Sequence, residues 1–418
     1  MFEKYSEYKD SGVEWLGNVP IDWEIAKFKR LFFEKKKSTN IQLNCGSISF
    51  GKVVYKDDEK ILESTKKSYQ VVQKGDFLIN PLNLNYDLIS LRIALSDIDV
   101  VVSSGYIVLD SSVKLNKNYY KWLLHIFDIV FMKTLGSGVR QTLSFNHIAN
   151  CELVFPSLAE QTAIANFLDR KTEQIDQAIS IKEKQIELLK ERRQILIHNA
   201  VTRGLDPDVK MKESGVEWIG EIPEHWEVKR AKNLFDEIDE RSKTGQEELL
   251  SVSHMTGVTP RSEKNVTMFL AEDYSGSKLC RKDDLIYNIM WAWMGALGVA
   301  DRIGIVSPSY AVYRQKSPRT FNSWFLEELL RDPDYVAHYN RVSTGLHSSR
   351  LRFYSNMFFE MKMGYPPREE QDEIVGFLKE ATKKITTAIS LKEKEIEKLK
   401  EYKSTLINSA VTGKIKVI

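Results

Sequence analysis

A long internal repeat constrains this chain more than any other feature. Residues 160–202 return as residues 370–412 at a constant offset of 210, with 23 of 43 positions identical. The identical pairs include Glu160/Glu370, Gln161/Gln371, Phe167/Phe377, Leu168/Leu378, Ile175/Ile385, Ile179/Ile389 and Leu189/Leu399. Identity at polar positions over such a length exceeds compositional bias. Each copy lacks proline, has at most one glycine (Gly376), and fills its outward positions with Lys, Glu, Gln and Arg, which favour helix. With Leu168 at heptad position d, Ile175, Lys182, Leu189 and Leu196 also fall at d, and Thr172, Ile179, Ile186, Arg193 and Ala200 at a. The second copy repeats the seam, with Leu378, Ile385, Lys392, Leu399 and Leu406 at d, and Thr382, Ile389, Ile396, Lys403 and Ala410 at a. Two matching stripes in one chain predict two helices packed on each other as an antiparallel coiled coil, a rod about 60 Å long at ~1.5 Å per residue. Lys182/Lys392 and Arg193/Lys403 interrupt the seam; such residues cost stability and fix register.

A second repeat precedes each helix. Lys9 to Phe32 matches Lys212 to Phe235 at 13 of 24 positions, offset 203, and carries Glu14, Trp15, Gly17, Pro20 and Trp23 against Glu217, Trp218, Gly220, Pro223 and Trp226. The tryptophans are expected to pack this motif onto a neighbouring element. The chain therefore reads motif, variable block, long helix, twice over. A pseudo-two-fold relation between the halves would bring the C-terminal end near the N-terminal end.

The variable blocks, 24–155 and 227–364, mix short strands with helices. Val53-Val54-Tyr55, Phe77-Leu78-Ile79, Val100–Val102 and Tyr106–Leu109 read as strands, and Tyr119 to Leu135 as a helix. In the second block Leu285-Ile286-Tyr287 and Gly304 to Tyr313 match in character, and Trp324 to Tyr339 is helical with a break at Pro333. A scaffold repeated nearly verbatim around diverged blocks suits two modules doing one job on two targets.

Catalytic patterns do not emerge. There is no G-x-x-x-x-G-K-[ST] loop and no H-E-x-x-H pair, and the seven histidines are dispersed. Asn80-Pro81-Leu82-Asn83 only distantly resembles the Asn-Pro-Pro-aromatic motif of amino-methyltransferases and reads as a turn. Cys45, Cys151 and Cys280 lack metal-ligand spacing and fit a reducing cytoplasm. The charged N-terminal residues offer no secretory leader, and no apolar run is long enough to span a bilayer, so no membrane partner is expected. A net charge of +2 leaves any nucleic-acid surface local. The candidates are two glycine-flanked loops at equivalent places. One carries Arg140, Gln141 and Thr142, the other His347, Ser348, Ser349, Arg350 and Arg352. Arg reads guanine and Gln reads adenine bidentately in the major groove. Asn80, Arg92, Asn288 and Arg302 complete the candidate DNA contacts, with Trp291 and Trp293 beside Asn288 as core or contact surface.

With these repeats in view, the chain resembles the specificity subunits of type I restriction–modification enzymes. The resemblance rests on the Glu-Trp-x-Gly-x-x-Pro-x-x-Trp motifs, on Pro156 to Gln161 and Pro366 to Gln371 leading into the helices, and on the helix ends Ala200 to Gly204 and Ala410 to Lys414. It implies an α+β fold of two similar target-recognition domains related by pseudo-two-fold symmetry and separated by an antiparallel coiled coil of two long helices. The expected division is 1–159 and 204–369 for the recognition domains, 160–203 and 370–418 for the helices. The resemblance further implies a non-catalytic chain without its own cofactor that binds double-stranded DNA, each domain reading half of a split target. The helices would set the spacer and dock modification subunits, expected as two copies, that bind S-adenosylmethionine. A restriction subunit using ATP and Mg would complete the complex. The alternatives are a coiled-coil scaffold that binds only proteins, and a self-contained methyltransferase, against which the missing cofactor motifs count.

Overall fold

The computed structural model describes residues 2–59, 61–82, 91–132, 143–264, 273–345, 347 and 351–417. Two helices dominate it, Leu158–Arg203 and Arg368–Val411, of 46 and 44 residues. The chain divides into two contact units, residues 1–183 with 393–418, and residues 184–392. Each unit thus holds one variable block, the start of one long helix and the end of the other.

Both units are built to one plan. The first has a four-stranded antiparallel sheet in the order Phe32–Glu34, Ile107–Ser111, Phe77–Ile79, Ile93–Leu95. The second has Phe235–Glu237, Ala311–Gln315, Leu285–Tyr287, Leu297–Val299 in the same order. Smaller pairs repeat as well: Gln70–Val72 with Val100–Val102 answers Lys278–Cys280 with Gly304–Val306, and the hairpin Gly46–Ser49/Lys52–Tyr55 answers Leu250–Ser253/Gly257–Pro260. The central strands Phe77–Ile79 and Leu285–Tyr287 are buried along their length, as continuous apolar runs require. Each follows a tight turn with positive φ at Gly75 (92°) or Asp283 (70°). A buried aspartate then closes the turn: Asp76 accepts from the Gln73 N–H at 2.8 Å, and Asp284 from the Arg281 N–H at 2.8 Å. The helix expected from Tyr119 is Lys117–Val130, and the break at Pro333 is real. Ser323–Leu330 ends before it, and Asp332 caps Pro333–Val342 by accepting from the Asp334 N–H at 3.0 Å.

The repeated residues form a clasp, made once in each unit. The Trp23 indole N–H donates to Glu160 Oε1 at 3.0 Å, and Trp226 to Glu370 Oε1 at 3.1 Å. Gln161 accepts from the Asn116 N–H at 2.8 Å and donates to the Pro156 carbonyl at 2.8 Å. Gln371 does the same with Asn322 (2.8 Å) and Pro366 (3.0 Å). Asn116 and Asn322 cap the next helix in each block, so one buried glutamine ties globular domain to long helix. The other helix ends against the same tryptophan. Gly413, at φ 74°, lies so close that a Cβ there would sit 2.4 Å from Pro20 Cδ and 3.1 Å from the Trp23 ring. In the first unit the chain ends also meet, the Lys416 N–H donating to the Glu3 carbonyl at 2.8 Å.

In the first unit the helix segments run antiparallel, since Lys182 meets Glu395 (2.5 Å) while the earlier Asp176 meets the later Lys403 (2.6 Å). The seam residues Leu168, Thr172, Ile175 and Ile179 are buried there, with Ile396 and Leu406. In the second unit Ala200 and Val201 share a core with Ile374, Val375 and Leu378. Lys392 and Arg193 have Gln185 and Thr386 in the matching places, so those two ion pairs are not repeated.

His338 in the second unit stacks on Trp218 at 4.4 Å and 18°. Burial, then the nearby Arg341 charge, lowers its imidazole from 6.5 to about 4. Between these values the unfolded chain takes up a proton that the native chain refuses, so the stability of this unit falls as pH drops from 6.5 and levels off below about 4. His338→Phe keeps a ring on Trp218 and removes the titration. Thermal melts across that window should show a flatter slope for the variant; an unchanged slope would exclude His338 as the source.

Candidate nucleic-acid interface

In each unit the central strand ends at an asparagine whose side chain makes an Asx turn. Asn80 Oδ1 accepts from the Leu82 N–H at 3.1 Å, and Asn288 Oδ1 from the Met290 N–H at 3.2 Å. The chain returning from the next helical segment is stitched to the residue just beyond. The Leu143 N–H donates to the Pro81 carbonyl, and Phe353 to Ile289, both at 3.0 Å. These returning segments follow the two glycine-flanked loops, so the fold brings loop base and strand end together twice. In the second unit a bridge between Thr344 and Arg352 (3.1 and 2.9 Å) closes the loop base.

Arg140, Gln141, Thr142, Ser348, Ser349 and Arg350 lie outside the described residues. His347 is exposed, and Arg352 is half-buried, donating to the Leu351 carbonyl at 2.9 Å. Asn80 is half-buried on its turn. Two candidates belong to the framework instead. Arg92 is 6% exposed and donates from Nε to Asp128 at 3.1 Å, while Asp128 also accepts the Arg92 N–H. This guanidinium is an internal strut, because Asp128 is itself buried and claims it. Asn288 is also buried, its Nδ2 donating to the Tyr310 hydroxyl at 3.2 Å. Arg302 stands apart from the other candidates. It follows Val299, which pairs with Leu285 at the start of the central strand, so it lies at the opposite end from Asn288.

Charge separates the two ends of the sheet. At the start of the strand two arginines are held in ion pairs: Arg314 binds Asp284 (2.7 Å) and Glu240 (3.0 Å), and Arg302 binds Asp301 (2.9 Å) and Glu248 (3.3 Å). The Arg314 guanidinium holds the Glu240 carboxyl below its ordinary range. In the first unit Lys35 is likewise spent on Asp76 at 2.7 Å. At the loop end, among the described residues, Arg352 and His347 have no carboxylate partner. Exposed apolar groups lie at the loop ends too, Leu82 in the first unit and Tyr354 and Trp291 in the second, the last stacked on Trp293 at 5.9 Å. Sequence reading named Trp291 but had no signal for its exposure, since an aromatic beside a buried strand is as often core.

For a metal, among the described residues only His198, Asp332 and Asp334 bring suitable atoms within 4.8 Å of one another. His198 Nδ1 lies 2.8 Å from Asp332, whose carboxylate also caps a helix, so this group ties the long helix to the block.

The family model for the type I restriction modification DNA specificity domain matches residues 20–191. The type I restriction enzyme MjaVIII specificity subunit of Methanocaldococcus jannaschii is 25% identical over 339 residues, covering 76% of this chain and 75% of that one. Over these stretches the chain is similar to the specificity subunits of type I restriction–modification systems. A chain from a structure addressing complex assembly and conformational transition of a type I system shares the fold of this chain at TM-score 0.68 and 13% identity, over 94% of this chain and 98% of that one. The HsdS subunit of Thermoanaerobacter tengcongensis does so at TM-score 0.54 and 14% identity, over 95% and 98%. Specificity subunits are the non-catalytic members of their systems. Among the described residues no helix is long and apolar enough to cross a membrane.

Proposed function

We propose that each unit reads one half of a bipartite double-stranded DNA target with its loop end, and that the long helices set the spacer and dock the modification subunits. The observation that carries this reading is the twice-built loop end. One backbone frame, Asn turn and stitched return, carries different side chains in the two units, as two readers of different sequences need. Base contacts are assigned to Arg140, Gln141 and Thr142 in the first unit, and to His347, Ser348, Ser349, Arg350 and Arg352 in the second. Docking is supported by apolar residues left in solvent on the first long helix. Ile181, Leu188 and Ile195 recur every seventh residue at 59%, 55% and 51% exposure. S-adenosylmethionine then belongs to the modification partner, and ATP with Mg to a restriction partner.

Gel-shift titration of the complex with its modification subunits, on a duplex carrying the bipartite site, tests the reading. Arg140→Ala and Arg350→Ala should each weaken binding by about 1–3 kcal/mol and relax specificity in one half-site only. A complex that shifts no genomic duplex would favour a protein-only scaffold.

A further inference from the structure

The first unit contains an open groove of about 730 Å³ between its globular block and its helix pair. One rim is the hairpin tip Phe50-Gly51, where Phe50 is 82% exposed at φ 47°. The floor is apolar, with Leu91 and Ile93, and Trp122 stands at the side. The Trp122 indole donates to Asp169 at 2.8 Å, and Lys121 reaches the same carboxylate at 3.2 Å. The opposite wall is the first long helix, which lines the groove with Asp169, Glu173 and Asp176. Asp97 adds a carboxylate at the mouth. Asp169 and Asp176 are balanced by Lys121 and Lys403. Asp97 and Glu173 have no cation partner among the described residues, and both are exposed.

The matching wall in the second unit has the opposite sign. The residues 210 positions on from Asp169, Glu173 and Asp176 are Lys379, Lys383 and Thr386. On the block side, Lys121 and Trp122, counted from the equivalent caps Asn116 and Asn322, become Glu327, which is paired with Arg331 at 3.0 Å, and Glu328. A repeat that holds its seam and clasp residues nearly constant has inverted the charge of this wall. A duplex is a poor occupant for the first groove, since its phosphates would face four carboxylates that outnumber the lysines lining it, Lys52, Lys121 and Lys403. An exposed aromatic, an apolar floor and unbalanced acid suit a cationic protein segment with apolar side chains.

We propose that this groove seats a cationic, apolar-bearing segment of one modification subunit, so that two identical modification subunits dock unequally, the first on the first unit. The inference rests on the docking part of the proposed function. Charge attraction at one wall and repulsion at the other makes the two steps differ in affinity and in salt response. Native mass spectrometry of the full chain titrated with purified modification subunit, at low and high salt, should show a one-to-one species in excess of the statistical share that two equal sites would give. Rising salt should narrow the gap between the two steps. Phe50→Asp, at an exposed position, should weaken the first step at least tenfold, and Glu173→Lys should do so most at low salt. Leu62→Asp, an equally exposed apolar site outside the groove, should change nothing. Equal stepwise affinities at both salts, or a Phe50→Asp chain that loads like wild type, overturns the groove assignment and leaves docking on the helices intact. A wild-type chain that takes up no modification subunit overturns the docking reading itself. Weaker DNA binding by the Phe50→Asp chain with unaltered loading would make the groove part of the DNA surface and also overturn the proposal.

Discussion

Trp23→Ala should destabilise the first unit by about 3–5 kcal/mol, the range for removing a fully buried large aromatic. Trp23 has no exposed surface, and it is held from three sides. Tyr5 packs edge-on at 5.8 Å, Glu160 accepts its N–H, and Gly413 brings the end of the second long helix against the ring. Truncation therefore opens a cavity where block, helix start and helix end meet. It also takes from the Glu160 carboxylate its indole donor, while Ser157 still donates to its other oxygen at 3.1 Å. Calorimetry should show the transition of this unit falling by roughly 10 °C, at 2–4 °C per kcal/mol for a body of this size. The transition of the unit containing Trp226 should stay in place. Gly413→Val should mimic the loss, because it adds a branched side chain at positive φ where even a Cβ meets Pro20 at 2.4 Å. Gly204→Ala should cost less than Gly413→Val but more than about 1 kcal/mol, since φ is positive there and the nearest atom, at 3.1 Å, is the Glu370 oxygen that accepts the Trp226 indole N–H. A first-unit transition unmoved in Trp23→Ala would mean that the repeated motif is not what fastens the block to the helices.

The clasp also explains why so much of the architecture was legible. Glu160, Gln161, Trp23 and their partners in the second copy are identical because each closes the same short hydrogen bonds in the same buried place, and the offset arithmetic exposed them as pairs. The seam could be read because a heptad pattern is local and periodic. Fates set by tertiary partners were hidden. Arg92 looks like any surface arginine until Asp128, 36 residues away, is found beneath it. Arg302 and Asn288 were both candidate DNA contacts, but antiparallel pairing of the strands between them sends the two to opposite ends. The sign inversion along Asp169, Glu173 and Asp176 was present in the aligned copies. It acquired meaning only once a groove was seen to run along those carboxylates.

Adding seven residues to each long helix, at matched seam positions, should abolish methylation at the native target and create a target with the same two halves and a longer spacer. A heptad adds about 10 Å of helix and rotates the exit by only ~20°, so the seam re-forms and both clasps survive. At 3.4 Å per base step, 10 Å corresponds to about three base pairs. Length and phase do not change together, however. Three base pairs turn one half-site by roughly 100° about a duplex of 10–10.5 base pairs per turn, far more than the helices turn. The lengthened chain must twist the DNA or lean its reading blocks, so modification of the new target should be slower than native modification of the old one. Methylome sequencing of cells carrying the insertion, beside cells carrying the native chain, reads both quantities at once. Unchanged halves with a spacer about three base pairs longer fit helices that measure distance. Retention of the old spacer would mean that something other than these helices sets it.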